Sequence, residues 1–239
     1  PTVNVSNSTA GIDLDFTATA VAGTADTFNL TVSSVTAGTF TIDAGIETIA
    51  IASNGVVANT IADLTTGAAG ASELTLSGAM DLTITASLDA AVTTINGSAM
   101  TGAMTVTQDA AANITVTGGS DNDSIDLGGD NFDGNDTVNG GAGSDTLSIE
   151  EDDAIALTTA AVELTKISNI EIINLTDTLA GNVTLAFFGA ATTLELSAGI
   201  DANDRTLTLV SGDTIDLEAD AGDDITIVAS GSGTSDIVN

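Results

Sequence analysis

The chain has no cysteine, no histidine, no tryptophan and no tyrosine, one proline, and two basic residues, Lys166 and Arg205, in 239 positions. Each absence removes a class of chemistry. Without cysteine there is no disulfide, no thiolate nucleophile and no thiolate-held zinc. Without histidine there is no imidazole ligand, no HExxH helix and no catalytic dyad or triad that uses His. Aromatics stand at 3%, so a glycan-cleaving groove would lack its aromatic platforms. No G-x-S-x-G is present either, and the chain reads as not an enzyme. No run reaches the roughly 18 apolar residues of a transmembrane helix, so no membrane insertion is expected. The N-terminal PTVNVSNSTA is neither basic nor followed by an apolar core. It does not read as a signal peptide, and a chain starting at Pro1 reads as a processed or excised piece of something longer.

What is abundant is negative charge. Against two bases stand 34 acids, 26 Asp and 8 Glu, for a formal net charge of −32. A field of this sign repels nucleic acid and anionic lipid, so neither is expected as a partner. It also pushes the folded state apart unless cations screen or bind the acids. Asp is a short carboxylate suited to turns and calcium loops. A solvated acidic surface, as in salt-adapted proteins, explains the same charge with no site at all.

Alternation of apolar and polar residues dominates, and helical periodicity is nearly absent. Leu74-Thr75-Leu76, Leu82-Thr83-Ile84, Met104-Thr105-Val106, Ile114-Thr115-Val116, Leu194-Glu195-Leu196 and Leu207-Thr208-Leu209 each place apolar residues two apart. This predicts short, half-buried strands. Gly, Asn, Asp and Ser clusters separate them and must turn the chain through their own backbone freedom. The fold class read from this is all-β, a parallel β-helix or β-solenoid with a short calcium-binding β-roll segment. A β-sandwich is the alternative. Repeated φ-Thr-φ units, scarce large side chains and a solenoid-type repeat in mid-chain favour the solenoid.

Three stretches are expected: a Thr/Ala-rich β-solenoid over 1–117, the calcium block over 118–148, and a second β-solenoid over 149–239, which together form one continuous domain or separate ones. GIETIAI (45–51) and NIEIINL (169–175) echo each other across the block. This suggests two related halves, although chance similarity in so simple a sequence remains open. Residues 151–168 place acids first and Lys166 late, an order that suits a short helix; a strand–turn–strand suits it equally.

The chemistry concentrates in TGGSDNDSIDLGGDNFDGNDTVNGGAGSDTLSIEEDD (117–153). The nonapeptide G-G-x-G-x-D-x-U-x, with U a large apolar residue, marks a calcium-binding β-helix repeat. Residues 140–148, GGAGSDTLS, match it throughout. Residues 118–126, GGSDNDSID, match except that Asp121 replaces the third glycine. Between them, 128–139 is the same unit with an insertion, keeping Gly134, Asp136 and Val138 in phase. The glycine half turns sharply and exposes carbonyl oxygens, here from Gly118, Ser120, Gly134, Gly140, Ala142 and Gly143. The sixth residue adds a carboxylate, here Asp123, Asp136 and Asp145. Calcium takes six to eight oxygens, more than one turn supplies, so successive coils share an ion. Coils two repeats apart stack, which puts Asp123 and Asp145 on one edge and Asp136 on the other. Three turns suffice for about one complete site and one or two partial ones. Asp130 and Asp133, in the insertion, add a possible less regular site. Ala221-Gly222-Asp223-Asp224 and 230–236 read as ordinary turns.

On these residues the chain resembles bacterial repeats-in-toxin (RTX) proteins, and more narrowly RTX-type surface-layer (S-layer) proteins and related secreted adhesins. The flanks AVTTINGSAMTGAMTVT (91–107), ANITVTGGS (112–120) and ISNIEIINLT (167–176) resemble those around such blocks. The resemblance implies Ca2+ as the bound ion, an extracellular place on the cell surface, type I secretion, and assembly with copies of itself into a lattice or filament. The alternative is an adhesin or ligand-binding module that calcium stiffens, with cell-surface polysaccharide as a candidate partner. Thr-x-Thr at 83–85, 105–107, 115–117 and 206–208 raises ice binding as a variant, but the spacing is too irregular for a flat threonine array.

Overall fold

The computed structural model describes residues 2–17, 19–67, 70–109, 113–129, 132–160, 166–185, 188, 191–201, 203, 205–210, 213–216, 225–230 and 237–238. Asp130 and the turns at 221–224 and 231–236 lie outside the described residues. The fold is a parallel β-solenoid, and every strand pair is parallel. No β-sandwich is present among the described residues.

The middle coils each lay one strand in an eight-stranded sheet and another in a nine-stranded sheet, and the terminal coils use two shorter sheets. In the first sheet lie β1 (Thr2–Ser6), β3 (Thr27–Ser33), β5 (Thr48–Asn54), β8 (Glu73–Gly78), β10 (Thr94–Met100), β12 (Thr115–Thr117), β14 (Thr137–Asn139) and β16 (Ile167–Ser168). In the second, β6 (Asn59–Ile61), β9 (Leu82–Ile84), β11 (Met104–Thr107), β13 (Ser124–Asp126), β15 (Thr146–Ile149), β17 (Ile172–Leu175), β19 (Thr193–Leu196), β21 (Thr214–Asp216) and β23 (Ile237–Val238) follow one another. Two three-stranded sheets complete the stack: β2 (Ile12–Leu14), β4 (Thr39–Ile42), β7 (Asp63–Thr66), and β18 (Val183–Thr184), β20 (Arg205–Val210), β22 (Ile225–Ser230). Residues 118–148 contribute β13, β14 and β15, all interior strands of the two long sheets.

The alternating pattern explains the packing. In Glu73–Gly78, Leu74 and Leu76 point in while Glu73, Thr75 and Ser77 point out. Stacked coils align like residues into ladders. Phe28, Ile49, Leu74, Ile95, Val116, Val138 and Ile167 form one inward ladder. Val106, Ile125, Leu147, Ile173, Leu194 and Ile215 form another. All are essentially buried, each contributing about 1.5–3 kcal/mol of transfer free energy. Small aliphatics suffice because each coil fills only a thin layer between its neighbours.

Residues Glu151–Ala160 form a helix, α1, between β15 and β16. Of the two conformations the sequence allows there, the helix is adopted, and Ile167–Ser168 then returns to the eight-stranded sheet. Its first turn carries Glu151, Asp152 and Asp153, which the positive end of the helix dipole favours. Ala154 and Leu157 are buried. The insertion before β14 tucks Phe132 into the core, and the Phe132 amide donates to Asp153 of the helix at 3.1 Å.

Candidate metal centre

Asp123 and Asp145 immediately precede β13 and β15, which pair directly with Ser124 opposite Thr146. The two carboxylates therefore stack in adjacent coils on one edge. Asp136 precedes β14 in the other long sheet. This is the two-edge arrangement that the repeat spacing predicts.

All three side chains are buried: Asp123 is 2% exposed, Asp136 and Asp145 0%. Buried carboxylates need donors. The Asp123 carboxylate accepts from Met104 N at 2.7 Å in the preceding coil and from Gly119 N at 2.5 Å in its own turn. Asp136 does the same with Ile114 N and Asp133 N, both at 2.6 Å. Asp145 makes only half of the pattern. One oxygen accepts from Asp123 N at 2.7 Å, while Asp145 Oδ2 is buried with no hydrogen-bond partner. The reason lies four residues upstream. Gly141 N, the counterpart of Gly119 N, donates instead to Asn139 Oδ1 at 3.1 Å. In the preceding coil Thr117 holds that position, and the Gly119 amide goes to Asp123.

The next coil adds a carboxylate that the nonapeptide does not predict. Glu171 precedes β17, at the same corner, and accepts from Asp145 N at 2.9 Å. Asp123, Asp145 and Glu171 thus occupy three successive coils, with exposed Asp121 beside them. Burial, opposed by the Asp123 amide and reinforced by the charges of Asp123, Glu171 and Asp121, pushes the Asp145 carboxyl up to about 6. Burial raises Asp123 as well, against its bonds to Gly119 and Met104 and with the Asp121 charge adding. The signal for Glu171 was the 45–51/169–175 echo. Glu47 accepts from Asp26 N at 2.7 Å, as Glu171 accepts from Asp145 N. The two segments do not occupy matching sheets, since β5 lies in the eight-stranded sheet and β17 in the nine-stranded one.

The other edge differs. Burial raises Asp136 too, with the Asp133 charge adding, but its neighbour in the preceding coil is Ile114, not an acid. The Lys166 charge pulls the Asp136 carboxyl back down. Both Asp136 oxygens are satisfied by amides. Asp133 is exposed and folded onto Asn135, whose N donates to it at 2.7 Å. Gly134 is exposed at the same turn. Of the additional site expected at Asp130 and Asp133, Asp133 stands at this exposed turn and Asp130 lies outside the described residues.

The glycine turns are packed coil on coil. A Cβ on Gly118 would meet Gly140 O at 1.9 Å, and one on Gly140 would meet Asn169 O at 2.0 Å and Asp145 Oδ2 at 2.5 Å. Gly141 and Gly143 adopt φ of +104° and +138°, conformations that glycine reaches without strain. Ser120 N donates to Met100 O at 3.2 Å and Ala142 N to Gly119 O at 3.0 Å, so the turns stack as a ladder of their own. Among the described residues no three acidic side chains converge on one point. A cation here would take carboxylate oxygens of Asp145 and Asp123 together with main-chain carbonyls of the stacked turns 118–121 and 140–143. That donor set suits a hard cation. The orphaned buried oxygen, the neighbouring acids and the close glycine cradle all fit one. No protein-family model, curated protein or solved structure matches the chain.

Proposed function

We propose that the chain is a structural segment of a secreted bacterial surface coat, S-layer-like, whose β-solenoid is held in order by calcium and assembles with copies of itself into a lattice or filament. The observation that carries the calcium part is Asp145 Oδ2, a buried acceptor with no donor, stacked between Asp123 and Glu171. A bound calcium would supply two positive charges to a corner that has none. Asp123 and Asp145 would hold it, with Asp121 and Glu171 adding negative potential. The RTX resemblance supports the extracellular setting, where calcium reaches the roughly 10⁻⁴–10⁻³ M at which extracellular modules bind it.

The test is a calcium titration followed by far-UV circular dichroism, sedimentation and electron microscopy. Calcium should raise the unfolding temperature and produce ordered assemblies that chelator dissolves. A chain with the same melting curve and the same monodisperse monomer in calcium and chelator would rule the reading out. A calcium-stiffened adhesin is the second reading, favoured by the hydroxyl- and amide-rich outer face of the long sheet. An extended calcium-loaded monomer that binds polysaccharide would select it.

A further inference from the structure

The acids are not spread evenly over the solenoid. Along the outer side of the eight-stranded sheet, Thr27, Thr48, Glu73, Thr94, Thr115 and Thr137 stand in one register column. The next column holds only Thr, Asn, Ala and Ser, from Thr2 to Ser168. Among the outward positions of these eight strands, Glu73 is the only charged residue. The nine-stranded sheet carries Asp126, Glu195 and Asp216 outward, and the β2–β4–β7 sheet carries Asp13 and Asp63. Of the Thr-x-Thr units, only Thr115–Thr117 lies on this sheet; those at 83–85, 105–107 and 206–208 begin in strands of other sheets.

We propose that this uncharged face is where a second copy of the chain docks. The inference rests on the coat reading and names its contact surface. Two copies, each at −32, repel over most approaches. Salt bridges cannot offset that repulsion. Of the two bases, Arg205 is bound to Asp201 at 2.5 Å and Lys166 lies beside Asp136. The long sheet is the broad surface with the fewest acids, Glu73 alone among the outward positions of its strands. At about 4.8 Å per strand the face runs roughly 30 Å, with on the order of 450 Å² per copy, the small end of specific contacts. Such a contact persists where a lattice or filament repeats it. An apolar anchor stands on its rim. Val56 and Val57, 87% and 48% exposed, sit just past the end of β5.

The experiment compares calcium-loaded parent chain with Thr94→Glu/Thr115→Glu on this face, Thr105→Glu on the nine-stranded face, and Val56→Asp on the exposed turn. Circular dichroism monitors folding, and sedimentation with electron microscopy monitors assembly. Like charges brought together across the contact should raise the concentration needed for assembly about tenfold or more in the double variant. Val56→Asp, outside the sheet and without risk to the fold, should weaken assembly in the same direction. Thr105→Glu should assemble as the parent does. Assembly of both the double variant and Val56→Asp at parental concentrations overturns the inference and leaves the coat reading standing. A parent that stays monomeric in calcium overturns both. Binding of polysaccharide, or ice shaping, by a monomer whose double variant loses it also overturns the inference, in favour of an adhesive face.

Discussion

In the coil that carries Asp123, the Gly119 amide donates to the carboxylate; one coil later the matching Gly141 amide donates to Asn139. One side-chain carbonyl thus leaves Asp145 Oδ2 without a donor. Asn139→Thr, which restores the residue of the preceding coil, should return Gly141 N to Asp145. Isothermal titration should then find calcium binding about tenfold weaker, the worth of one charge-assisted hydrogen bond. Asp145→Asn removes a poorly solvated charge. In chelator at pH 7.5 it should stabilise the chain by about 1–2 kcal/mol, after allowance for screening, and in calcium it should abolish the calcium-induced rise in melting temperature. The pH dependence has a definite sign. The folded Asp145 carboxyl titrates at about 6 against an ordinary 3.8, so the folded state holds the proton more tightly than the unfolded one. Its stabilising contribution is full below about 3.8 and is lost as pH rises through about 6. Urea unfolding in chelator should show this limb between pH 4 and 6 in the parent and a shallower one in Asp145→Asn, where the raised Asp123 and Asp136 carboxyls still contribute.

At the scale of a coil, the turn and the ladder carry separate burdens. Gly140→Ala would drive a Cβ against Asn169 O, a backbone atom that cannot yield without moving the next coil. It should cost at least about 2 kcal/mol. Gly134→Ala, at an exposed turn without a left-handed backbone, should stay within about 0.5 kcal/mol. Leu147→Ala opens a void between Ile125 and Ile173 and should cost about 2–4 kcal/mol, read from denaturant midpoints. Because coils contact mainly their neighbours, such a lesion spreads to adjacent coils first. Glu171 and Glu47 belong to this scale as well: each closes a corner by accepting the amide of the coil before it.

For the whole molecule, charge and cation supply are coupled. Even three calcium ions would offset only six of the 32 net negative charges, so general screening must act on the rest. In chelator, sodium chloride should raise the melting temperature by screening alone. Calcium at equal ionic strength should raise it further, and Asp145→Asn should keep the first effect and lose the second. Retention of the second effect in Asp145→Asn would mean that calcium acts elsewhere than at Asp145, and its absence in the parent that calcium is one more screening ion on an acidic surface.

Strand-forming alternation, parallel coils and the two-edge placement of Asp123, Asp145 and Asp136 were all legible in the sequence, because a solenoid converts sequence period directly into spatial stacking. The exclusion of imidazole and thiol chemistry was equally legible, since an absent residue is absent from every fold. The tertiary structure alone decided what depends on register between coils. Glu171 joining the Asp145 column, Lys166 settling beside Asp136, and the collection of uncharged residues onto one sheet all bring together groups roughly 20 residues or more apart or set by loops of unequal length. No local pattern encodes those distances. They are fixed when each coil finds the register that buries its own aliphatic ladder.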